Sequence, residues 1–244
     1  MTMNKQSNVY TLLYSSILVI VVGAVLAIVY GVLKPKQDEN IAIDKQKQIL
    51  SSVRVYPSTA EVSGVYAQMI TKSFVVNVKG EVVSEDAATA FGIDMAKEIK
   101  KAAEERQLPV YVCTIADGSA KYILPVYGKG LWNAIWGYVA FNDDANTIYG
   151  AYFSHVGETP GLGAEIESTS FQYQFQNRTV FNENGEFTSV AVCKKGQELA
   201  DTTKYVNAIS GGTITSRGVE AMLKSCLGDY QAYLTKLKES STSK

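Results

Sequence analysis

Histidine is all but missing from this chain: in 244 residues His155 stands alone. Cysteine is nearly as scarce, with Cys113, Cys193 and Cys226 far apart, odd in number and never paired as CxxC. A structural or catalytic zinc site draws three or four ligands from these residue types, so no transition-metal site is expected, and no disulfide framework either. Neither sign of charge prevails. The 23 basic and 24 acidic side chains leave a formal net charge of −1, which excludes a strongly basic nucleic-acid binder and an acidic tail protein. The five prolines and 19 glycines are ordinary frequencies, and 46% hydrophobic residues can fill a core, so wholesale disorder and fibrous repeats are excluded. The G-x-x-x-x-G-K-[ST] spacing of a phosphate-binding P-loop is absent, as are G-x-S-x-G and a strand-borne G-x-G-x-x-G. Redox or transfer chemistry, if present, must come from an organic cofactor or from plain side chains.

Acidic residues are missing from the first 37 positions, and Tyr10 to Leu33 carries no charge at all. Such a segment, at ~1.5 Å rise per residue, is ~36 Å long and spans a ~30 Å hydrocarbon core. Tyr10, Tyr14 and Tyr30 lie near its ends, as interfacial anchors do. The apolar run is too long for a cleaved signal peptide and lacks an A-x-A-like site, so it reads as a retained single-pass anchor. Lys5 on one side and Lys34 and Lys36 on the other do not choose a topology. The organisation expected is a tail over residues 1–9, a transmembrane helix over 10–33, a juxtamembrane segment over 34–59 with a short helix at 38–50, and one domain over 60–244.

Within that domain, 60–70 reads as helical and 74–78 as a strand, with a turn at Lys79-Gly80-Glu81. Residues 85–106 have the composition and charge spacing of one helix. Residues 108–114, 122–126, 137–141, 147–154 and 171–180, with 187–193 as an addition, are aromatic or β-branched runs between Gly, Asn and Asp clusters, as strands are. The class expected is α+β with a mostly antiparallel sheet. Val219, Met222, Leu223, Cys226, Leu227, Tyr230, Leu234 and Leu237 mark one apolar stripe of a final helix. Thr215 or Ser216 is expected to cap it, and Cys226 to be a small buried hydrophobe on the stripe.

Just before that helix stands Ser210-Gly211-Gly212-Thr213-Ile214-Thr215-Ser216-Arg217, with four hydroxyls, two glycines and a cation. Free amides and a partial positive charge at a helix start favour an anion, phosphate above all, although ordinary capping uses the same residue types. A second segment, Glu158-Thr159-Pro160-Gly161-Leu162-Gly163, offers a turn, exposed amides, an apolar face at Leu162 and polar edges at Glu158 and Thr159.

The run from Ser210 to Ser216 resembles the S-G-A-T-x-T-S flavinylation motif of the covalent FMN-binding domain family, and the segment 158–163 is similar to that family's E-T-P-G-L-G signature. Gly128-Lys129-Gly130-Leu131-Trp132 with Trp136-Gly137-Tyr138 resembles a segment found in one branch, the C subunits of the sodium-translocating NADH:quinone reductases. Gly212 stands where the family usually has Ala, and Asn207 where it usually has Asp. The resemblance implies FMN carried through a phosphoester on Thr213, placed there by a separate flavin transferase because nothing next to Thr213 is an obvious base. It implies cofactor contacts from Ser210, Gly211, Gly212, Thr215, Ser216 and Arg217, and from Glu158, Thr159, Gly161, Leu162 and Gly163. No catalytic acid or nucleophile and no metal ligand is implied. Other subunits of the membrane complex are the implied partners, with no nucleic acid. The implied location is the bacterial cytoplasmic membrane, with the soluble domain on its outer, periplasmic face.

For other residues the ordinary structural role outweighs the functional one: His155 as a hydrogen-bonding group, Trp132 and Trp136 as packing groups, Lys194 and Lys195 as solvated side chains. Competing readings are the G subunit of the Rnf ferredoxin:NAD oxidoreductase, which shares two of the motifs, a flavin-free tethered interaction domain, and, least, a hydrolase with His155 as its only base.

Overall fold

The computed structural model describes residues 8–242 except 195 and 198. The chain divides into two compact units, Met1–Lys45 and Gln46–Lys244. The first consists of most of α1, a single helix over Asn8–Ser52 that continues through Pro35. The short helix expected at 38–50 is therefore the continuation of the apolar one. Large side chains of α1 from Val9 to Leu33 are exposed, and none of its most apolar stretch is buried against protein, as a helix surrounded by lipid requires.

The second unit is α+β. Helix α2 (Val62–Met69) leads into β1 (Ile70–Val76), followed by β2 (Val82–Ser84), α3 (Ala87–Gly92), α4 (Met95–Glu98) and β3 (Leu108–Thr114). Strands β4 (Ala120–Lys129), β5 (Ala134–Phe141) and β6 (Ile148–His155) complete a six-stranded sheet in the order β2-β1-β3-β4-β5-β6. Every pairing in that sheet is antiparallel. Helix α5 (Thr169–Tyr173), the parallel pair β7 (Ala191–Cys193) and β8 (Tyr205–Asn207), and helices α6 (Thr213–Asp229) and α7 (Gln231–Thr242) follow.

Alternation along the strands feeds two apolar layers. Leu108, Val110, Leu124, Val126, Val139 and Phe141 join the larger core with the stripe of α6. Tyr111, Cys113, Ile123, Tyr138 and Ala140 point to the other face, where Ile49 and Val53, at and just beyond the end of α1, close over them. The central strands are thus buried on both faces, while β2 at the edge is exposed. Helix α6 approaches β4 closely: a β-carbon at Gly128 would lie 2.7 Å from Met222 Cβ, and one at Gly218 would lie 2.5 Å from the Lys129 carbonyl oxygen. These two glycines let the start of α6 sit beside the β4–β5 hairpin loop, residues 130–133.

Four expectations fail for local reasons. The one final helix expected through Leu237 is two, α6 and α7, which part at Tyr230. The single helix expected over 85–106 breaks into α3, α4 and a 3-10 turn at Ala103–Glu105. Asp86 caps α3, the chain turns extended at Ile93, and Asp94 starts α4 with a second cap. The strand expected over 171–180 begins instead as α5, because the Ser168 hydroxyl accepts from the Phe171 amide and directs a helical turn. Phe171 and Phe175, four apart, both pack against Phe153. Finally, α6 starts at Thr213 with Gly212 at its cap position, so Thr215 and Ser216 are not caps. Their hydroxyls are turned into the protein.

Candidate functional site

The sequence places its three motif segments far apart, and the fold brings them together at Glu158. This residue follows β6, whose last residue His155 accepts a hydrogen bond at Nδ1 from the Glu158 amide (3.1 Å). The Glu158 side chain is only 4% exposed. Its Oε1 accepts from the backbone amides of Trp132 (2.9 Å) and Asn133 (3.4 Å), at the tip of the β4–β5 hairpin. Its Oε2 accepts from the Thr215 hydroxyl (2.6 Å), in the first turn of α6. Burial opposes ionisation, yet the Thr215 hydroxyl and the two amides outweigh it and hold the carboxyl below the usual carboxylate range.

Two motif glycines make room for this carboxylate. A β-carbon at Gly130 would collide with Glu158 Oε1, and one at Gly163 with Thr215 Oγ1 and, at 2.6 Å, with Glu158 Oε2. The loop 159–163 also packs on the segment before α6. Leu162 lies over Gly211, where a β-carbon would be 2.5 Å from its Cδ2, and over Gly212, where one would be 3.0 Å from the Leu162 carbonyl oxygen. Gly211 has φ +75°, a left-handed conformation that glycine adopts without steric cost. Gly161 has φ +74°, and its amide donates to Glu165 Oε1.

The four hydroxyls separate into two kinds. Thr215 (1% exposed) is committed to Glu158, and the Ser216 hydroxyl, fully buried, accepts from the Ile209 amide at 3.0 Å. Ser210 is exposed and Thr213 half-buried. Gly212 stands at the cap position and supplies no capping side chain to the amides of the first turn of α6. Arg217, exposed and four residues beyond Thr213, lies on the same side of the helix. The segments that meet at Glu158 carry exposed apolar side chains: Leu131 and Trp132 (67% exposed) in the hairpin loop, Val156 just after β6, Leu162 in the loop 159–163 and Ile214 (59%) in the first turn of α6. The Trp132 indole Nε1–H donates to Thr159 Oγ1 at 3.2 Å, which ties the exposed ring to the loop 159–163.

Asn207, at the end of β8, is exposed, and its backbone exchanges hydrogen bonds with the Gln174 side chain. Trp136 is held apart from the site by its indole N–H on Gln48 Oε1. Lys194 is exposed, and Lys195 lies outside the described residues. Cys226 is buried on the α6 stripe, and burial pushes its thiol up to about 11. Among the described residues no cluster of His, Cys, Asp and Glu has the makings of a metal site. Two relationships escaped the sequence: the convergence on Glu158 and the Trp132–Thr159 tie. An acid immediately before Thr-Pro-Gly signals only a turn, and glycine spacing does not say which distant oxygen each glycine accommodates.

The model of the FMN-binding domain family matches residues 130–228, a range that begins in the hairpin loop and ends near the end of α6. Along nearly the full length, the chain is 33% identical over 250 residues to the C subunit of the Na(+)-translocating NADH-quinone reductase of Haemophilus ducreyi, covering 96% of both chains. The chain belongs to the family of these C subunits. Another member, from Vibrio vulnificus, is 32% identical over 85% of this chain and 86% of its own. The solved C subunit from Parabacteroides distasonis is 46% identical and superposes with a TM-score of 0.76, covering 83% of this chain and 97% of that one. The Shewanella oneidensis NqrC structure is 28% identical with a TM-score of 0.68, covering 81% and 98%. The relatives are thus subunits of an oxidoreductase assembly, and the part of this chain that matches the FMN-binding domain contains Glu158, the loop 159–163 and the whole first turn of α6.

Proposed function

We propose that this chain is the electron-carrying C subunit of a sodium-translocating NADH:quinone reductase, with FMN joined through its phosphate to the hydroxyl of Thr213. The observation that carries this reading is the separation of the hydroxyls at the start of α6. Thr215 and Ser216 are buried and engaged, whereas Thr213 is accessible at a helix start whose amides lack a capping side chain. Those amides and the helix dipole favour a phosphate there, and Arg217 one turn on adds a charge-assisted contact. Leu162 approaches Gly211 and Gly212 closely, and Leu162, Trp132 and Ile214 are exposed apolar side chains on the three segments that meet here, of a kind that suits a flat heteroaromatic ring. Thr159 and the turn at Gly161 supply polar groups at its edge.

FMN when bound supplies reversible electron transfer, and the chain's own residues have the narrower tasks of fixing the phosphate, covering one side of the ring with apolar groups and leaving another side open to a partner. No side chain here needs to act as acid, base or nucleophile in turnover. Attachment is another matter. The Thr213 hydroxyl is a weak nucleophile, and no general base stands beside it in the sequence, so a separate flavin transferase installs the ester. The apolar length of α1 supports anchorage by a single span. The family likeness alone supports the bacterial cytoplasmic membrane and the second unit on its outer face beside the other subunits of the complex. The Rnf G-subunit reading is less favoured, since the relatives that match over most of the chain are C subunits of the quinone reductase. Purification of the native chain with its complex tests the assignment: recovery with quinone-reductase subunits supports it, and recovery with ferredoxin-oxidoreductase subunits overturns it.

A further inference from the structure

Glu158 has the chemistry of a group that would face a cofactor, but its geometry points elsewhere. Both oxygens are spent on protein donors: Trp132 N–H and Asn133 N–H on one, the Thr215 hydroxyl on the other. At 4% exposure it presents little surface to any ligand. Gly130 and Gly163, one from each flanking segment, leave the volume that its two oxygens occupy. A buried carboxylate with three donors ties together the parts that contribute them, and losing it would leave those donors unsatisfied. Those parts are the hairpin tip bearing Trp132 and the first turn of α6 bearing Thr213, and Glu158 joins both to the loop that follows it, which bears Thr159 and Leu162.

We propose that Glu158 is a positioning residue, which never touches the flavin but sets the ring-contacting side chains and the attachment point relative to one another, so that a group on Thr213 is held in one orientation. This rests on Thr213 being the attachment site. Position, rather than charge, is what Glu158 supplies. In Glu158→Gln the side-chain carbonyl still accepts from the Trp132 and Asn133 amides, while the new NH2 donates to Thr215 Oγ1, whose hydroxyl turns to accept. In Glu158→Ala all three donors lose their acceptor. In Thr215→Val only the tie to α6 is lost.

The test uses the full chain, flavinylated in cells that contain the transferase, with each variant checked by mass spectrometry of the Thr213 peptide. The readouts are fluorescence anisotropy of the attached flavin and its midpoint potential. The expected result is wild-type anisotropy and potential in Glu158→Gln, with loss of the restricted anisotropy and a displaced potential in Glu158→Ala and in Thr215→Val. Should Glu158→Ala fail to fold, Thr215→Val carries the test alone. Unchanged anisotropy and potential in a variant flavinylated on Thr213 would overturn the positioning role, as would a Glu158→Gln variant that behaves like the alanine or valine one. A wild-type chain with no flavin on Thr213 overturns the attachment site and this inference together, and the mass spectrum tells that outcome from the others.

Discussion

Leu162 and Gly211 are packed so closely that a β-carbon on the glycine would lie 2.5 Å from Leu162 Cδ2, while the glycine itself has φ +75°. Two independent reasons, steric and conformational, therefore require glycine there. Gly211→Val is expected to destabilise the domain by about 1–3 kcal/mol through backbone strain alone, and to displace Leu162 from the start of α6. Chemical denaturation checks the first effect, and altered absorbance of the bound flavin the second.

Leu162→Asp places a charge on the apolar wall without touching Thr213. Attachment is expected to persist, while the flavin's absorbance and potential change. Identical spectra and potential would remove Leu162 from the ring contacts.

The two threonines of the first turn of α6 have opposite roles and so opposite mutant behaviour. Thr213→Val is expected to abolish covalent flavin and to change stability by less than about 0.5 kcal/mol, since Thr213 is half-buried and valine has its shape. Thr215→Val is expected to retain covalent flavin and to lose about 1–3 kcal/mol, because Glu158 Oε2 is left buried without its donor. Intact mass and urea melts of both variants give the comparison.

Glu158 also couples stability to acidity. Its carboxyl is held below its ordinary value of 4.5, so the folded state prefers the ionised form. The stability it contributes is complete above that ordinary value and is lost as the pH falls through the depressed one. Wild-type protein is therefore expected to lose melting temperature more steeply than Glu158→Gln as the pH falls below about 4.5. Parallel slopes for the two proteins would contradict this.

How far the sequence disclosed the molecule depended on whether its signals were local. Strand β3 was expected at residues 108–114 and is found there, and the other strands of the central hairpins lie at or around the expected positions, because alternation and turn residues are properties of short windows. The apolar stripe from Val219 was equally plain, and its residues up to Leu234 are buried, but it runs over two helices, α6 and α7, that part at Tyr230 rather than over one. Residues 171–180 misled because aromatic content suggested a strand, although the spacing of Phe171 and Phe175 and the Ser168 cap carry a helical signal. Residues 85–106 misled because helical composition hid Asp94 as a second starting cap. Thr213, Thr215 and Ser216 are interchangeable as letters. Only the packing of α6 on β4, through Gly128 and Gly218, decides which hydroxyl faces Glu158 and which remains accessible.

The central claim is the bond on Thr213, and peptide mass spectrometry of the chain isolated from its own host tests it most directly. The account predicts the peptide containing Thr213 with the added mass of FMN less one water, fragmenting so that the addition stays on Thr213. An unmodified Thr213, or an addition that maps to Ser210, Thr215 or Ser216, would contradict it.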